Sequence, residues 1–344
     1  MHGPAPRAGP FVRPVHAAPA LHMLPAVDAL RVDSWGQLHE QLFEGSWNEA
    51  LGRFRPSCAF RGVPDLEHDL SSALVRLGGD FSRHERDLLR NFRKYARGRV
   101  DDRSYTLWDW LALAQHHGLP TRLLDWTFSP YVALHFLTED PTRYGVDGAV
   151  WCVDYRVTNR LLPRPLQRQL QREGADVFTA EMLAAAAREL SAFDRLTKKP
   201  FVLFFEPPSL DERIVNQFAL FSVMNGAPWR LDAFLAHQRA GVRRLVIPAQ
   251  LKAEIRDKLD QANITERVLF PGLDGLCRWL RRYYSPMGLP ATTQLPPMPE
   301  SEDVGGAQVR ESAPAPGPLG KAPGTRATGR SRRRAPAAAA RRPR

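Results

Sequence analysis

Long apolar runs are missing from this chain of 344 residues: no stretch approaches 18 consecutive apolar residues, which excludes a helical membrane span. Cysteine is scarce. Cys58, Cys152 and Cys277 stand far apart and are odd in number, so they outline neither a disulfide framework nor a zinc site. Metal-ligand spacing is missing elsewhere too, so no metal is expected. The first residues, MHGPAPRAGPFVRPVHAAPALHMLPA, lack the uninterrupted apolar core of a signal peptide, because Pro, Arg and His break it repeatedly. These absences predict a cytoplasmic protein in a reducing compartment, with no membrane partner.

What is present has a globular composition. Hydrophobic residues make up 43% and aromatics 9%, enough for a sizeable core. The net charge of +11 is unevenly placed: ten Lys/Arg and three Asp/Glu lie between Ser301 and Arg344, so this end carries +7 and the first 300 residues +4. Residues 1–30 and 286–344 are rich in Pro, Ala, Gly and Arg, without periodicity. Such segments bury too little apolar area to offset chain entropy, so a flexible arm and a disordered basic tail are expected. The tail ends RSRRRAPAAAARRPR, with no interleaved aromatics. It would attract nucleic acid through its phosphates rather than read its sequence.

Residues 31–285 read as one α+β domain with a mainly helical first half and a small mixed sheet. DSWGQLHEQLF places Trp35, Leu38 and Leu42 at helical spacing behind Asp33 or Ser34. SRHERDLLRNFRKYA opens with a capping box, Ser82 to Glu85, and TLWDWLALAQHHG is capped by Thr106. CAFRG and RLLDWT are short extended runs, and Ser129-Pro130 starts a fresh helix. GAVWCVDY, FVLFFE, FALFSVM and VRRLVIP are apolar runs of strand length.

The densest polar stretch is QHHGLPTRLLDWTFSPYVALHF at 115–136. It falls where a helix stops, a strand ends and a new helix begins. Unpaired backbone donors at such a helix start suit phosphate or amide ligands. Each residue has a plainer alternative. Ser129 before Pro130 is an ordinary helix cap. Asp125 can pair with Arg122 or with His116, Trp126 can be core, and Arg61 can answer an acid of the fold. Gln217 falls in an otherwise apolar run, where a buried amide needs partners.

AFRG at 59–62, ERDLLRNF at 85–92 and QHHGLPTRLLDWTFSPYVAL at 115–134 resemble the FRG-domain family, named after its Phe-Arg-Gly motif. ERIVNQFALFSV at 212–223 and LFPGLDGL at 269–276 extend the likeness from Val32 to Tyr284. The family's motif has an aromatic where His117 stands, so His116 is the better site candidate. A second resemblance is to arginine-type ADP-ribosyltransferases: an arginine on an early strand, a hydroxyl-rich strand end running into a helix, then a glutamate on a later strand. Arg61 fills the first element, and Thr127 with Ser129 the second. The third departs from the pattern, for Gln217 stands where the glutamate is expected, and its role would pass to a nearby carboxylate such as Asp125.

This second resemblance implies an ADP-ribosyltransferase-like fold that consumes NAD and modifies a protein or nucleic acid. Arg61, His116, Arg122, Trp126 and Ser129 would hold the nucleotide. Arg61, Thr127, Ser129, Gln217 and Asp125 would serve the reaction. The alternatives are a binding module that senses a nucleotide or nucleic acid without turnover, and a metal-independent hydrolase or nuclease using His116 with Asp125. The FRG likeness also implies a part in conflict between cells and phage.

Overall fold

A strand buried on both faces reads as a continuous apolar run, and GAVWCVD at 148–154 is such a run, at the heart of a mixed sheet. The computed structural model describes residues 27, 29–100, 103–209, 211–238 and 240–285. Its strands are β1 (Ala29–Arg31), β2 (Trp47–Asn48), β3 (Arg53–Phe54), β4 (Cys58–Val63), β5 (Leu124–Thr127), β6 (Gly148–Asp154), β7 (Phe178–Thr179), β8 (Val202–Glu206), β9 (Ala219–Met224) and β10 (Val242–Ile247). β2 and β3 form a separate hairpin. The other eight form one sheet in the order β1-β10-β6-β4-β5-β9-β8-β7. The outer pairs β1–β10 and β7–β8 are parallel and the inner ones antiparallel. With 14 helices among the described residues, the domain is α+β as its sequence implies.

The sheet is nearly divided at its middle. β4 and β6 share six residue pairs and β5 and β9 share four, but β4 meets β5 only at Phe60 and Thr127. Beyond that pair the two strands are unbonded, and space opens between the halves. One face packs on helices Pro130–Thr138 and Lys252–Gln261 through Phe60, Ala133, Leu137, Val150 and Ile255. The opposite face collects Ala59, Val63, Trp126, Trp151 and Phe204. Helix Leu107–His116 contributes Trp108 and Trp110 to a further core with Phe193 and Phe205.

Most sequence signals act as written. Ser34, Thr106 and Ser129 each cap a helix, and Pro130 takes the first helical position. Three readings need correction. The helix Phe81–Ala96 starts behind Asp80, whose carboxylate accepts from the Arg83 amide at 3.1 Å, because Glu85 is drawn inward to Arg122 and leaves the anticipated capping box with Ser82 unformed. The arm assigned to residues 1–30 ends too late, since Val27 is buried and Ala29–Arg31 pairs with β10. Gln217 is not on a strand: it follows helix Glu212–Asn216, and Phe218, at φ 46°, turns the chain before β9 begins. Residues 1–26 of the arm and the basic tail 286–344 lie outside the described residues. Among the described residues, no helix is long and apolar enough to cross a membrane.

Candidate functional site

The Phe-Arg-Gly triplet sits on β4, where side chains alternate between faces. Phe60 is buried among the residues of helix Pro130–Thr138, and Gly62 lies against the same helix. Arg61 therefore points to the other face, beside the gap between β4 and β5. Its Nη1 donates to the main-chain carbonyl of Asp125 at 2.5 Å, holding the guanidinium across the gap.

A cleft of about 700 Å³ fills that gap, and Arg61, His116, Asp125, Trp126, Thr127 and Gln217 all line it. Residues more than 150 apart in sequence meet there because helix Leu107–His116, β5 and the turn before β9 all end at this opening. Each side chain is held. Asp125 accepts from Gln115 Nε2 at 3.0 and 2.9 Å, and Gln115 Oε1 accepts from the Thr121 hydroxyl. Trp126 donates from Nε1 to the Ser222 hydroxyl at 2.9 Å and is also core. Gln217 Nε2 donates to the Leu269 carbonyl at 2.9 Å.

Arg122 does not reach this cleft. It is buried with its guanidinium forked between Glu85 and Asp194, so its anticipated ligand role gives way to an internal ion pair. Ser129 is spent as the cap of helix Pro130–Thr138, accepting from the Val132 amide, and is not among the lining residues. The Thr127 hydroxyl is committed on both sides, donating to the Gln217 carbonyl at 2.7 Å and accepting from the Ser129 amide at 3.0 Å. Thr127 is thus engaged as donor and acceptor, and Ser129 lies outside the lining of the cleft. Asp125 pairs with neither Arg122 nor His116. His116 Nε2 instead meets Asp211 at 2.6 Å, so the His116–Asp125 dyad anticipated for a nuclease is not formed.

Several lining residues escaped the sequence reading: His68, Arg76, Glu139 and Arg213. His117, set aside on the motif, lines the cleft as well. Arg213 lay within the ERIVNQFALFSV stretch and Gln115 within the polar corner, so both carried a signal. Arg76 and Glu139 carried none, because they sit at or near helix ends that only the tertiary fold brings here.

The cleft is rich in positive charge. Arg61, Arg76 and Arg213 enter it from three elements. Arg61 and Arg213 each keep a buried Nε without a hydrogen-bond partner. Arg213 meanwhile lies over the Phe270 ring at 4.9 Å. Burial lowers the Arg61 pKa, opposed by Asp125 and helped by Arg76, yet a guanidinium stays charged in proteins. An oriented guanidinium with an unused N–H is suited to bidentate binding of phosphate or carboxylate oxygens. His116 is pushed down by burial, against Asp211, which favours the neutral imidazole. Glu139 closes one side of the helix Pro130–Thr138. Desolvation raises its carboxyl toward about 7, with Glu266 and Asp140 acting the same way against Arg278 and Arg213, while the residue is exposed to solvent, which screens the shift. A carboxyl near 7 can both give and take a proton at neutral pH. Among the described residues, no three His, Cys, Asp or Glu side chains cluster to hold a metal.

Residues 56–145, which include the triplet, the polar corner and Glu139, match the FRG domain family. No curated protein and no solved structure matches the chain.

Proposed function

We propose, for a chain that carries an FRG domain, that the cleft binds a pyrophosphate-bearing nucleotide and consumes NAD as an ADP-ribosyltransferase. The observation that carries the reading is the pair of arginines, Arg61 and Arg213, each with a buried Nε that lacks a partner, lining one cavity together with Asp125 and Glu139. In that reading Arg61, backed by Arg76 and Arg213, takes the pyrophosphate oxygens. The bond from ribose to nicotinamide breaks with its electron pair leaving on the nicotinamide nitrogen. Positive charge grows on the ribose, as in glycoside hydrolysis, and Asp125, fixed by Gln115, offers it a carboxylate. An acceptor oxygen or nitrogen then bonds the ribose carbon, and its proton passes to Glu139. Asp125 and Glu139 thus replace the glutamate that the sequence lacks at Gln217.

A nucleic-acid acceptor is favoured by a second cavity, of about 780 Å³, along helix Phe81–Ala96. Arg86, Arg90, Arg93, Lys94 and Arg97 line it and outnumber the acids left to them: Glu85 and Asp194 are answered by Arg122, Glu189 also lines the cavity, and Asp87 lies 3.9 Å from Arg86 and 3.3 Å from Arg90. The unbalanced outer charge suits a phosphodiester backbone. The proposed compartment is the cytoplasm, and a role in conflict between cells and phage is proposed on family resemblance alone.

The test incubates the full chain with adenine-labelled NAD and mixed protein and DNA acceptors. Nicotinamide release and labelled acceptor are expected, with Arg61→Met and Glu139→Gln each slowing release by about a hundredfold. Absence of both release and NAD binding would remove the reading. Tight binding without release would instead select the second reading, a nucleotide-sensing module, which the occupied Thr127 hydroxyl favours.

A further inference from the structure

A smaller cavity, of about 320 Å³, lies on the same face of the sheet, beside the cleft. His68 lines both. The floor of the smaller cavity includes Trp151 and Arg244. Trp151 is only 4% exposed, yet its indole Nε1 has no hydrogen-bond partner. Arg244 is in the same condition at Nε, while its Nη2 donates to the Leu66 carbonyl at 2.7 Å and its guanidinium lies over the Trp151 ring at 5.2 Å.

The register explains why these groups belong together. Arg61 of β4 pairs with Trp151 of β6, and Trp151 pairs with Arg244 of β10. Directly paired residues on antiparallel strands present their side chains on one face. The three therefore stand abreast in a row two strand spacings long, about 10 Å. Each carries a buried N–H group that nothing in the protein accepts. Unanswered buried donors are costly, and three in one cross-strand row, on residues that line adjoining cavities, point to a single acceptor-rich ligand.

The chemistry of the two ends differs. At the Arg61 end the neighbours are Arg76 and Arg213, which fit an anion. At the far end the donors of Trp151 and Arg244 are rimmed by the carboxylates of Glu67, Asp69 and Asp232. Arg230 balances two of these, lying 2.5 Å from Asp232 and 3.6 Å from Asp69. Carboxylates only accept, and an indole and a guanidinium only donate. A second phosphate would be repelled by the rim. A nucleoside fits: its base ring nitrogens accept from the floor, and its ribose hydroxyls donate to the rim.

We propose that Arg61, Trp151 and Arg244 form one donor row, which carries a pyrophosphate-linked nucleoside out of the cleft and seats that nucleoside at Trp151 and Arg244. This rests on the cleft's reading as a pyrophosphate site and places the adenosine half of the dinucleotide in the smaller cavity, leaving the reacting half beside Asp125 and Glu139. His68, exposed where the two cavities adjoin, flanks the linking ribose.

The experiment is calorimetric binding of inorganic pyrophosphate and of ADP-ribose to the full chain and to three variants. Trp151→Phe keeps the ring beneath Arg244 and removes only the N–H, and Arg244→Gln removes the second donor. Arg61→Met removes the anion end. Trp151→Phe and Arg244→Gln are each expected to weaken ADP-ribose by about tenfold and to leave pyrophosphate within about twofold, while Arg61→Met weakens both. If ADP-ribose binds Trp151→Phe and Arg244→Gln as tightly as wild type, or if pyrophosphate weakens in parallel, the second subsite is refuted while the Arg61 clamp stands. If the wild-type chain binds neither compound, the cleft reading and the subsite fall together.

Discussion

Gly62 lies so close to the main chain of Ala133 that a Cβ at position 62 would stand 1.9 Å from the Ala133 carbonyl oxygen. This contact lets helix Pro130–Thr138 settle directly on β4, and it sets where Arg61, one residue earlier, emerges on the opposite face. The three residues of the triplet thus have separate tasks: Phe60 fills the core, Arg61 enters the cleft, and Gly62 admits the helix.

Substituting Gly62→Ala is expected to destabilise the domain by about 3 kcal/mol or more, because the obstacle is backbone and cannot rotate away. The midpoint of urea unfolding is the measurement. An unchanged midpoint would mean that the helix is free to lift from the strand.

Arg122 is 7% exposed and Glu85 5%, and their two parallel contacts form a buried ion pair. Removing one charge leaves the other buried and unanswered. Arg122→Met is expected to cost about 3–5 kcal/mol of stability. Asp194→Asn should cost less, since Asp194 keeps partial access to water. Denaturant unfolding of the two variants would show the order reversed if Arg122 serves a ligand rather than the fold.

His135 is fully buried and accepts from Arg256 Nη1 through Nδ1 at 2.9 Å, which requires the neutral ring. Burial pushes its pKa from the ordinary 6.5 down to about 3, with Arg256 adding to the effect. The unfolded chain therefore takes up this proton first. The stabilising contribution is full above pH 6.5 and is lost as the pH falls toward 3. Glu139 acts with the opposite sign between 4.5 and about 7, so the informative quantity is a difference. Stability of wild type minus His135→Gln, followed by denaturant titration, should fall by up to about 1.4 kcal/mol per pH unit in that window. A difference that does not vary with pH would show that the ring is not held neutral.

Burial pushes the Cys58 thiol up to about 11 and the Cys152 thiol up to about 12, whereas Cys277 is exposed on helix Leu273–Tyr283. Only thiolates react readily. Brief alkylation of the native chain at pH 8 should therefore add one label, at Cys277, with the other two sites reacting on unfolding. Peptide mass mapping distinguishes this from labelling at Cys58.

How far the linear sequence reaches depends on the range of the forces involved. Caps at Ser34, Thr106 and Ser129, the strands 148–154 and 219–224, and the α+β class were legible because they depend on neighbours within a turn or on continuous apolar runs of strand length. The triplet and the polar corner were legible as a pair, and six residues drawn from them and from position 217 do line one cleft. The partners were not legible. Choosing Glu85 and Asp194 for Arg122, Asp211 for His116 and Gln115 for Asp125 depends on distances set by packing across the whole domain, and a sequence offers every charge to every other. Likewise, only the strand register could set Trp151 beside both Arg61 and Arg244, because side chains far apart in the chain become neighbours through backbone hydrogen bonds that no local pattern specifies.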